Sequence, residues 1–164
     1  MDQEGVGCWK CRGMREMRTW EWCHSSSVVR YNPCMDEIRE FARRYTQAWC
    51  SQDPASVAAF YSPNGSLTVN GGDPAVGQVA ITQLARGFMT TFPDLQVLMD
   101  NVLVQNGGAE YHWTLIGTNT GPGGTGRRVH ISGYEVWTIG PDGLIAESRG
   151  SFDSVEYQRQ LGLL

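Results

Sequence analysis

The stretch that decides the fold is AEYHWTLIGTNTGPGGTGRRVHISGYEVWTI, residues 109–139. Two segments within it, 109–118 and 127–139, alternate apolar and polar residues, and a loop rich in glycine and threonine separates them. Alternation with a period of two is the pattern of a strand that buries one face. The stretch therefore predicts two long strands joined by a wide antiparallel hairpin connection.

The loop inside this stretch, GTNTGPGGTGRR at 117–128, also raises the question of phosphate binding. A phosphate-binding loop needs a lysine followed by serine or threonine after its glycines, and a helix after the loop. Here two arginines follow the glycines, and then another strand. We therefore interpret the loop as a hairpin connection that could form the rim of a cavity. Phosphate or nucleotide binding is the least supported function.

The regions around the hairpin divide into helical patterns before it and strand patterns on both sides of it. Helices that come first and strands that then follow one another through short turns predict an α+β fold with an antiparallel sheet. One face of that sheet must be buried against the helices. The predicted elements are helices over 36–49, 54–61, 76–92 and 154–161, and strands over 65–70, 95–105 and 144–152.

Composition indicates a single soluble domain. The 164 residues are 41% hydrophobic and 18% charged, with a net charge of −4, which does not suit a nucleic-acid partner. No apolar run approaches the roughly 18 residues of a membrane-spanning helix, and the N-terminus has no apolar core of a signal peptide. We expect a cytoplasmic protein that binds neither nucleic acid nor membrane.

The first 34 residues differ from the rest of the chain. They hold four of the five cysteines, with Cys8 and Cys11 in a C-x-x-C arrangement and Cys23 next to His24. Adjacent residues do not make the second half of a usual zinc site, so we predict no metal and no cofactor. We predict that residues 1–34 are a disordered extension or upstream sequence, and that the domain spans 35–164.

Four segments of the sequence resemble those of a known family. TTFPDLQV, GTNTGPGGTGRRVHISG, PDGLIAE and RQLG occur in the order and spacing of SnoaL-like polyketide cyclases, members of the nuclear transport factor 2-like superfamily. The resemblance covers about residues 36–163. It implies a cone-shaped α+β barrel, a curved antiparallel sheet wrapped on N-terminal helices, with a pocket at its wide end. It also implies a homodimer through the outer face of the sheet.

Glu135 is the candidate acid or base. Alternation in the strand 127–139 places it on a face that otherwise carries apolar residues and a glycine. Desolvation raises the pKa of a buried carboxyl, which makes such a group suitable for general acid–base catalysis near neutral pH. Two other interpretations stay open: the carboxylate is paired with an arginine, or a bulge turns it outward.

The resemblance does not transfer the family's cyclase mechanism. The characterised cyclases use a histidine and an aspartate as acid–base pair. Alignment through SGYEV and RQLG places these positions on Trp137 and Gly150, and neither residue can transfer a proton. The histidines of this chain do not replace the pair, because His112 and His130 alternate onto the polar side of their strands.

Two further polar residues are weaker candidates. Asn119 occupies the place where many relatives have a histidine, so it could hydrogen-bond a ligand at the rim. Asp153 matches an aspartate that is common in relatives, and it is a weak catalytic candidate. Because aspartate is among the best helix N-caps, capping the helix 154–161 is the more ordinary role for Asp153.

The predicted ligand is a hydrophobic, cyclic small molecule. Aromatic side chains at helical or alternating spacing are usually core, but several could line an apolar pocket. The first hypothesis is a small-molecule-binding protein, catalytic as a cofactor-independent isomerase, cyclase or hydrolase with Glu135 as acid or base. The alternative is a non-catalytic ligand-binding or dimerisation module whose cavity is filled by its own side chains. The aromatic ligand-binding candidates are Tyr45, Trp49, Phe60, Phe88, Trp113 and Trp137.

Overall fold

The computed structural model describes residues 35–164, so the expectations for residues 1–34 lie outside the described residues. The element order is helix, helix, strand, short strand, helix, four strands, helix. The elements are α1 (Met35–Cys50), α2 (Pro54–Ala58), β1 (Tyr61–Val69), β2 (Ala75–Val76), α3 (Gly77–Thr91), β3 (Gln96–Gln105), β4 (Gly108–Thr118), β5 (Arg128–Ile139), β6 (Ile145–Phe152) and α4 (Ser154–Leu161).

The predicted α+β fold is confirmed, with one addition to the sheet. The strand order is β2-β1-β6-β5-β4-β3, and the run from β3 to β6 is antiparallel throughout, as the turn chemistry predicts. β1, however, lies parallel to β6, so the six-stranded sheet is mixed rather than wholly antiparallel. The prediction missed this pairing because β1 pairs with β6, a strand far from it in the sequence, and local patterns do not indicate such a pairing.

Two boundaries differ from the sequence pattern. The second helix ends at Ala58, and Tyr61 already belongs to β1, whereas the pattern extends the helix to residue 61 and starts the strand at 65. The difference matters because it places the side chain of Tyr61 in the sheet. The two-residue strand β2 was not predicted, but elsewhere the agreement is close. α4 ends at Leu161, and Gly162 caps it with a left-handed φ of 73° that suits glycine.

α1 supplies one wall of the core. Its apolar residues recur at helical spacing, so Phe41, Tyr45 and Trp49 lie one turn apart on the same face. Tyr45 is completely buried on that face. The end of α1 is attached to β3 through Cys50, whose Sγ accepts from Val97 N at 3.2 Å. The helix is thereby held across the inner side of the sheet.

The β4–β5 hairpin supplies the opposite wall. Tyr111 pairs with Glu135 and Trp113 pairs with Gly133, so these residues share the inner face. The glycine-rich loop between the strands is closed at its base by hydrogen bonds between Asn119 and the 126–127 backbone, of 2.8 and 2.9 Å. This is the wide hairpin connection that the sequence predicts. Among residues 35–164, no helix is long and apolar enough to cross a membrane.

Candidate functional site

The site is built around Glu135 in the middle of β5. Alternation along the strand turns this side chain inward, between Gly133 and Trp137, and it is only 7% exposed. No bulge turns it outward at this point, because the register with β4 is continuous on both sides. No ion pair to it occurs among the described residues. Within residues 35–164, therefore, Glu135 neither pairs with an arginine nor is turned outward by a bulge.

Three neutral donors from three elements converge on Glu135. Ser148 Oγ on β6 donates to Oε2 at 2.7 Å, and Trp137 Nε1 on β5 donates to Oε2 at 2.8 Å. Tyr45 OH on α1 donates to Oε2 at 3.1 Å and lies 3.4 Å from Oε1. Oε2 is thus well satisfied, whereas Oε1 has one distant donor. When the carboxyl is protonated, Oε1 is the oxygen that can hold the proton.

Tyr61 extends this cluster by one residue. Its hydroxyl lies 2.9 Å from the Tyr45 hydroxyl, and both phenols are completely buried. Because the Tyr45 hydroxyl uses its hydrogen in the hydrogen bond to Glu135, Tyr61 must be the donor in the hydrogen bond between the two tyrosines. Burial, followed by the charge of Glu135, raises the pKa of both phenols well above the usual value. Both tyrosines therefore stay neutral donors.

Burial raises the pKa of Glu135. Removal from water disfavours the carboxylate, and this is the largest influence on the group. The hydrogen bonds from Trp137, Ser148 and Tyr45 act in the opposite direction, since each stabilises the charged form. The donors are all neutral, so they offset the loss of hydration without cancelling it. The result is a carboxyl that holds a proton to higher pH than an exposed glutamate.

An apolar cavity adjoins this carboxyl. Its volume is about 50 Å³, and it reaches toward the surface past side chains that are only partly buried. Glu135 is the one ionisable carboxyl in its lining. The lining residues are Trp49, Leu67, Val69, Leu84, Phe88, Val97, Tyr111, Trp113, Leu115, Ile131, Glu135, Gly150 and Phe152.

The aromatic candidates fall into two groups. Trp49, Phe88 and Trp113 line the cavity. Tyr45 and Trp137 lie behind Glu135 instead, where each donates to its carboxyl.

Phe60 and Asn119 lie away from the cavity lining. Phe60 packs edge-on against Phe41 and Tyr45 in the core, with ring centroids 5.1 and 5.5 Å apart. Asn119 is buried at the base of the glycine-rich loop. The structure thus brings Glu135 together with five of the other predicted residues.

Asp153 and His112 lie outside the site. Asp153 Oδ1 accepts from the backbone N–H groups of Val155 and Glu156 at 3.0 and 2.9 Å, so it caps α4. His112 is on the outer face of the sheet. Its Nε2 is 2.8 Å from Glu110 Oε1, but the angle is not that of a hydrogen bond.

The two positions that the family resemblance assigns to the cyclase pair both adjoin Glu135. Trp137 donates to its carboxyl, and Gly150 pairs with it across β5 and β6 and lines the cavity. A Cβ atom at position 150 would lie 3.5 Å from Glu135 Cγ, an ordinary contact. The single carboxyl therefore occupies the centre of the region where the resemblance places an acid–base pair.

Sequence reasoning missed three residues of this site. Ser148 alternates onto the inner face of β6, and Tyr111 lies opposite Glu135 in the hairpin register, so counting along the strands could have identified both. The Tyr111 hydroxyl is 2.7 Å from Thr46 Oγ1 and takes no part in the Glu135 cluster. No local signal points to Tyr61, because its contact with Tyr45 depends on how β1 enters the sheet.

Chemically, the site combines a proton donor or acceptor with an apolar surface. A neutral carboxyl can give a proton to a ligand oxygen, and its carboxylate can remove one from a ligand. Among the described residues, no group of three or more His, Cys, Asp or Glu side chains is placed to hold a metal ion. The described site offers acid–base chemistry and hydrogen bonding from the protein's own side chains.

The fold and this site define the class: an α+β protein with a curved sheet folded over helices and a carboxyl inside an apolar cavity. The model of the SnoaL-like domain family matches residues 42–148, most of the described chain. The protein belongs to the SnoaL-like domain family, and the resemblance seen in the sequence is confirmed. No curated protein matches the chain significantly.

Solved structures share the fold at low sequence identity. TsrD from Streptomyces laurentii has a TM-score of 0.70 at 23% identity, covering 80% of this chain and 99% of that one. A proposed SnoaL-like polyketide cyclase from Jannaschia sp. CCS1 has a TM-score of 0.70 at 17% identity, covering 87% and 99%. A protein with a ketosteroid isomerase-like fold from Catenulispora acidiphila, in complex with trimethylamine, has a TM-score of 0.67 at 11% identity, covering 75% and 92%.

Proposed function

We propose that this protein binds a small hydrophobic molecule in the cavity and transfers a proton to or from it through Glu135, as a cofactor-independent isomerase, cyclase or hydrolase. The observation that carries the proposal is a buried carboxyl in the cavity lining with neutral donors and, among residues 35–164, no cationic partner. A structural carboxylate at this depth would ordinarily be paired with a cation.

The environment of Glu135 suits proton transfer. A general acid or base works best when its pKa is near the operating pH, and burial moves the pKa of this carboxyl in that direction. The three donors to Oε2 fix the orientation of the group and leave Oε1 for the ligand. The apolar lining excludes water, which strengthens any electrostatic interaction inside the cavity.

The size of the cavity limits the ligand. The cavity volume of about 50 Å³ is about a third of the ~150 Å³ of an apolar protein cavity that holds benzene. A ring therefore does not fit the cavity as it stands in the structure. A cyclic ligand requires movement of the side chains that are partly buried, of which Leu84, Phe88 and Phe152 are in the lining.

A specific observation also favours the alternative, a non-catalytic module that fills its own cavity. The Trp137 indole stacks on Tyr111, with ring centroids 4.8 Å apart, and satisfies Glu135 from inside. Together these rings fill the space behind the carboxyl. In that case Glu135 only accepts hydrogen bonds from the core, and its protonation does not change the affinity for any ligand.

We also propose a homodimer through the outer face of the sheet. Leu98, Leu103 and Tyr134 project from that face and are 49%, 46% and 40% exposed. Exposed apolar side chains grouped on one sheet face favour a protein contact. Light scattering on the wild type and on Leu103→Glu tests this: a dimer that dissociates in the variant supports the proposal, and a wild-type monomer at high concentration contradicts it.

A thermal-shift screen tests the ligand-binding proposal. The panel holds cyclic ketones, epoxides and lactones of increasing size, and the proteins are the wild type, Glu135→Gln and Gly150→Val. A ligand at 100 times its dissociation constant should stabilise the native state by about 2.7 kcal/mol. Gly150→Val is the control that fills the cavity while keeping the carboxyl.

The screen separates the two candidate functions. Binding that Gly150→Val abolishes, and whose pH dependence Glu135→Gln removes, supports a ligand site with a titrating carboxyl. Absence of any hit across the panel at every pH tested favours the self-filled module.

A further inference from the structure

Tyr61 is a buried polar residue that the proposed proton transfer does not use. Its ring is completely buried, its hydroxyl hydrogen-bonds Tyr45 and not Glu135, and it is absent from the cavity lining. A phenylalanine would fill nearly the same space without a hydroxyl that has to be satisfied away from water. The hydroxyl of Tyr61 therefore needs an explanation other than packing.

The direction of the hydrogen bonds follows from the number of hydrogens. The Tyr45 hydroxyl has one hydrogen and two neighbours, the Glu135 carboxyl at 3.1 Å and the Tyr61 hydroxyl at 2.9 Å. An ionised carboxylate has no hydrogen to give, so Tyr45 donates to it and Tyr61 donates to Tyr45. Two O–H groups in succession thus point toward the carboxylate.

The other neighbour of the Tyr61 hydroxyl has the same orientation. Burial, followed by the charge of Glu135, raises the pKa of Tyr61. Side-chain hydrogen bonds with Tyr45 and Ser148 lower this pKa. Ser148 gives its own hydrogen to Glu135 Oε2 at 2.7 Å, so it can only accept from Tyr61. Tyr61 thus lies between two hydroxyls that both donate to the same carboxyl.

The backbone of β1 holds Tyr61 in this position. The pairs on the two sides of an irregularity in the sheet are Tyr61–Ile145 and Ser66–Glu147, and β1 carries three more residues than β6 between them. Such an irregularity changes the direction in which a strand points its side chains. The carbonyl of Tyr61 also accepts from Gln78 Nε2 at 3.0 Å, which attaches this end of β1 to α3.

A donor to Tyr45 favours the charged form of Glu135. Hydrogen bonds in a chain polarise one another, and a hydrogen bond to an ionised acceptor is stronger than one to a neutral acceptor. Tyr61 therefore stabilises the carboxylate more than it stabilises the neutral acid. Within residues 35–164 the titratable groups that face Glu135 are the phenols of Tyr45 on α1, Tyr61 on β1 and Tyr111 on β4. No cation in this part of the chain pairs with Glu135 and supplies the same effect.

We propose that Tyr61 is a positioning residue, whose hydroxyl directs the hydrogen of Tyr45 onto Glu135 and so favours the carboxylate without touching it. The inference rests on the proposed function for its meaning, because it concerns the group proposed to transfer the proton. It adds a residue two hydrogen bonds away from the carboxyl that influences how much of the base is present near neutral pH.

Titration of Glu135 in Tyr61→Phe tests the proposal. The full chain, without ligand, is labelled with 13C at the glutamate carboxyls, and Glu135→Gln identifies the signal. Loss of the polarising donor should weaken the charge-assisted hydrogen bond from Tyr45 by about 10–30%, which makes Glu135 about 1.5- to 4-fold weaker as an acid. The titration of Glu135 should therefore move to higher pH.

Tyr111→Phe is the matched control for this titration. It also removes a buried phenol hydroxyl, but one that hydrogen-bonds Thr46. If Tyr61 had a structural role alone, both variants would lose stability and leave the titration of Glu135 unchanged. A titration in Tyr61→Phe that coincides with the titration in Tyr111→Phe would overturn the proposal.

A replacement that keeps the hydroxyl makes the test decisive if Tyr61→Phe folds poorly. The phenol of 3-fluorotyrosine is more acidic than that of tyrosine and is a stronger hydrogen-bond donor. With 3-fluorotyrosine in place of Tyr61, Glu135 should titrate at lower pH than in the wild type. An unchanged titration, or one moved to higher pH, contradicts the proposal.

A double variant tests the route through Tyr45. In Tyr45→Phe the intermediate hydroxyl is gone, so addition of Tyr61→Phe should move the titration of Glu135 less than it does in the wild type. An equal shift in both backgrounds would show that Tyr61 does not act through Tyr45.

The outcomes distinguish this inference from the proposed function. The titration needs no ligand, so a shift in Tyr61→Phe supports the role of Tyr61 even if no compound of the panel binds, in which case the proposed function alone fails. If compounds bind with a pH dependence that Glu135→Gln removes, while Glu135 titrates in Tyr61→Phe as in the wild type, the proposed function stands and the role of Tyr61 is overturned.

Discussion

Two glutamates show how differently this protein treats the same side chain. Glu135 lies inside the sheet and accepts from three neutral donors. Glu156 lies in the first turn of α4, where Arg159 donates to both of its oxygens at 2.6 Å and Gln160 donates at 2.7 Å. Burial raises the pKa of Glu135, whereas these side-chain hydrogen bonds, led by Arg159, lower the pKa of Glu156 to about 2.

The difference teaches that the number of hydrogen bonds does not decide the protonation state. Each carboxylate accepts three side-chain hydrogen bonds or more, yet the pKa values move in opposite directions. Water remains available at Glu156 and one donor there is a cation, while Glu135 has lost its water and has neutral donors. The same reasoning separates a surface ion pair from a candidate acid–base group.

The largest effect is expected at the wall behind Glu135. Trp137→Ala removes a buried indole that contacts Tyr45 and Tyr111, with ring centroids 5.2 and 4.8 Å away. Loss of this packing should lower the free energy of unfolding by about 3–5 kcal/mol. Urea denaturation measures it, with Trp113→Ala as the control, since that ring is partly exposed. If both variants lose the same free energy of unfolding, the packing of Trp137 against Tyr45 and Tyr111 does not have the importance assigned to it here.

A smaller effect is expected for the phenol that donates to Glu135. Tyr45→Phe removes the hydroxyl between Glu135 and Tyr61 and should cost about 1–3 kcal/mol, because a buried acceptor and a buried hydroxyl lose their shared partner. It should also raise the pKa of Glu135 further, since a donor to the carboxylate is lost.

Tyr111→Phe is the matched control for Tyr45→Phe. It also removes a buried hydroxyl, but one that hydrogen-bonds Thr46. Its stability cost should be similar, while the pH dependence of ligand binding or stability stays close to that of the wild type. If both variants shift this pH dependence equally, the Tyr45 hydrogen bond has no special influence on Glu135.

The contribution of Glu135 itself should depend on pH in a defined direction. Because its pKa is raised on folding, the stabilising contribution of Glu135 is fully present below the unfolded value of about 4.3 and is lost as pH rises through the folded pKa. Glu135→Gln resembles the neutral acid and lacks this loss. Its stability relative to wild type should therefore rise with pH, by at most about 1.4 kcal/mol per pH unit.

Denaturation at a series of pH values between 4 and 9 measures this difference. A stability difference that does not change over the range would show that Glu135 ionises alike in the folded and the unfolded protein, which contradicts a pKa that is raised on folding.

The smallest effect is expected at Glu156. Its depressed pKa means that its contribution is present above the unfolded value and is lost as pH falls through about 2. Glu156→Gln should lower the melting temperature slightly at pH 7 and not at pH 2, with the difference vanishing in high salt because the group is exposed. A salt-independent decrease would contradict an electrostatic origin.

The inner and outer faces of the hairpin could be predicted from the sequence. Alternation alone places Glu135 inside and His112 outside, because a strand turns successive side chains to opposite faces. The same pattern places Trp113 on the cavity side. For these residues the local rule is enough, since the hairpin is continuous and its register has no irregularity.

The partners of Glu135 could not be predicted in the same way. Tyr45 lies on α1, 90 residues earlier, and Tyr61 begins a strand that pairs in parallel with β6. These contacts depend on how distant elements pack, which no periodicity encodes. The sequence pattern even assigns Tyr61 to a helix, because the apolar run after Pro54 continues through the turn that ends α2.

The most direct measurement of the central claim is the titration of Glu135 in the folded protein. Glutamate labelled with 13C at the carboxyl carbon gives one NMR signal per side chain, and comparison with Glu135→Gln assigns the signal of interest. The account predicts that this carboxyl titrates above the ordinary value of about 4.3, whereas Glu156 titrates below it. A Glu135 signal that titrates at or below the ordinary value would contradict the account.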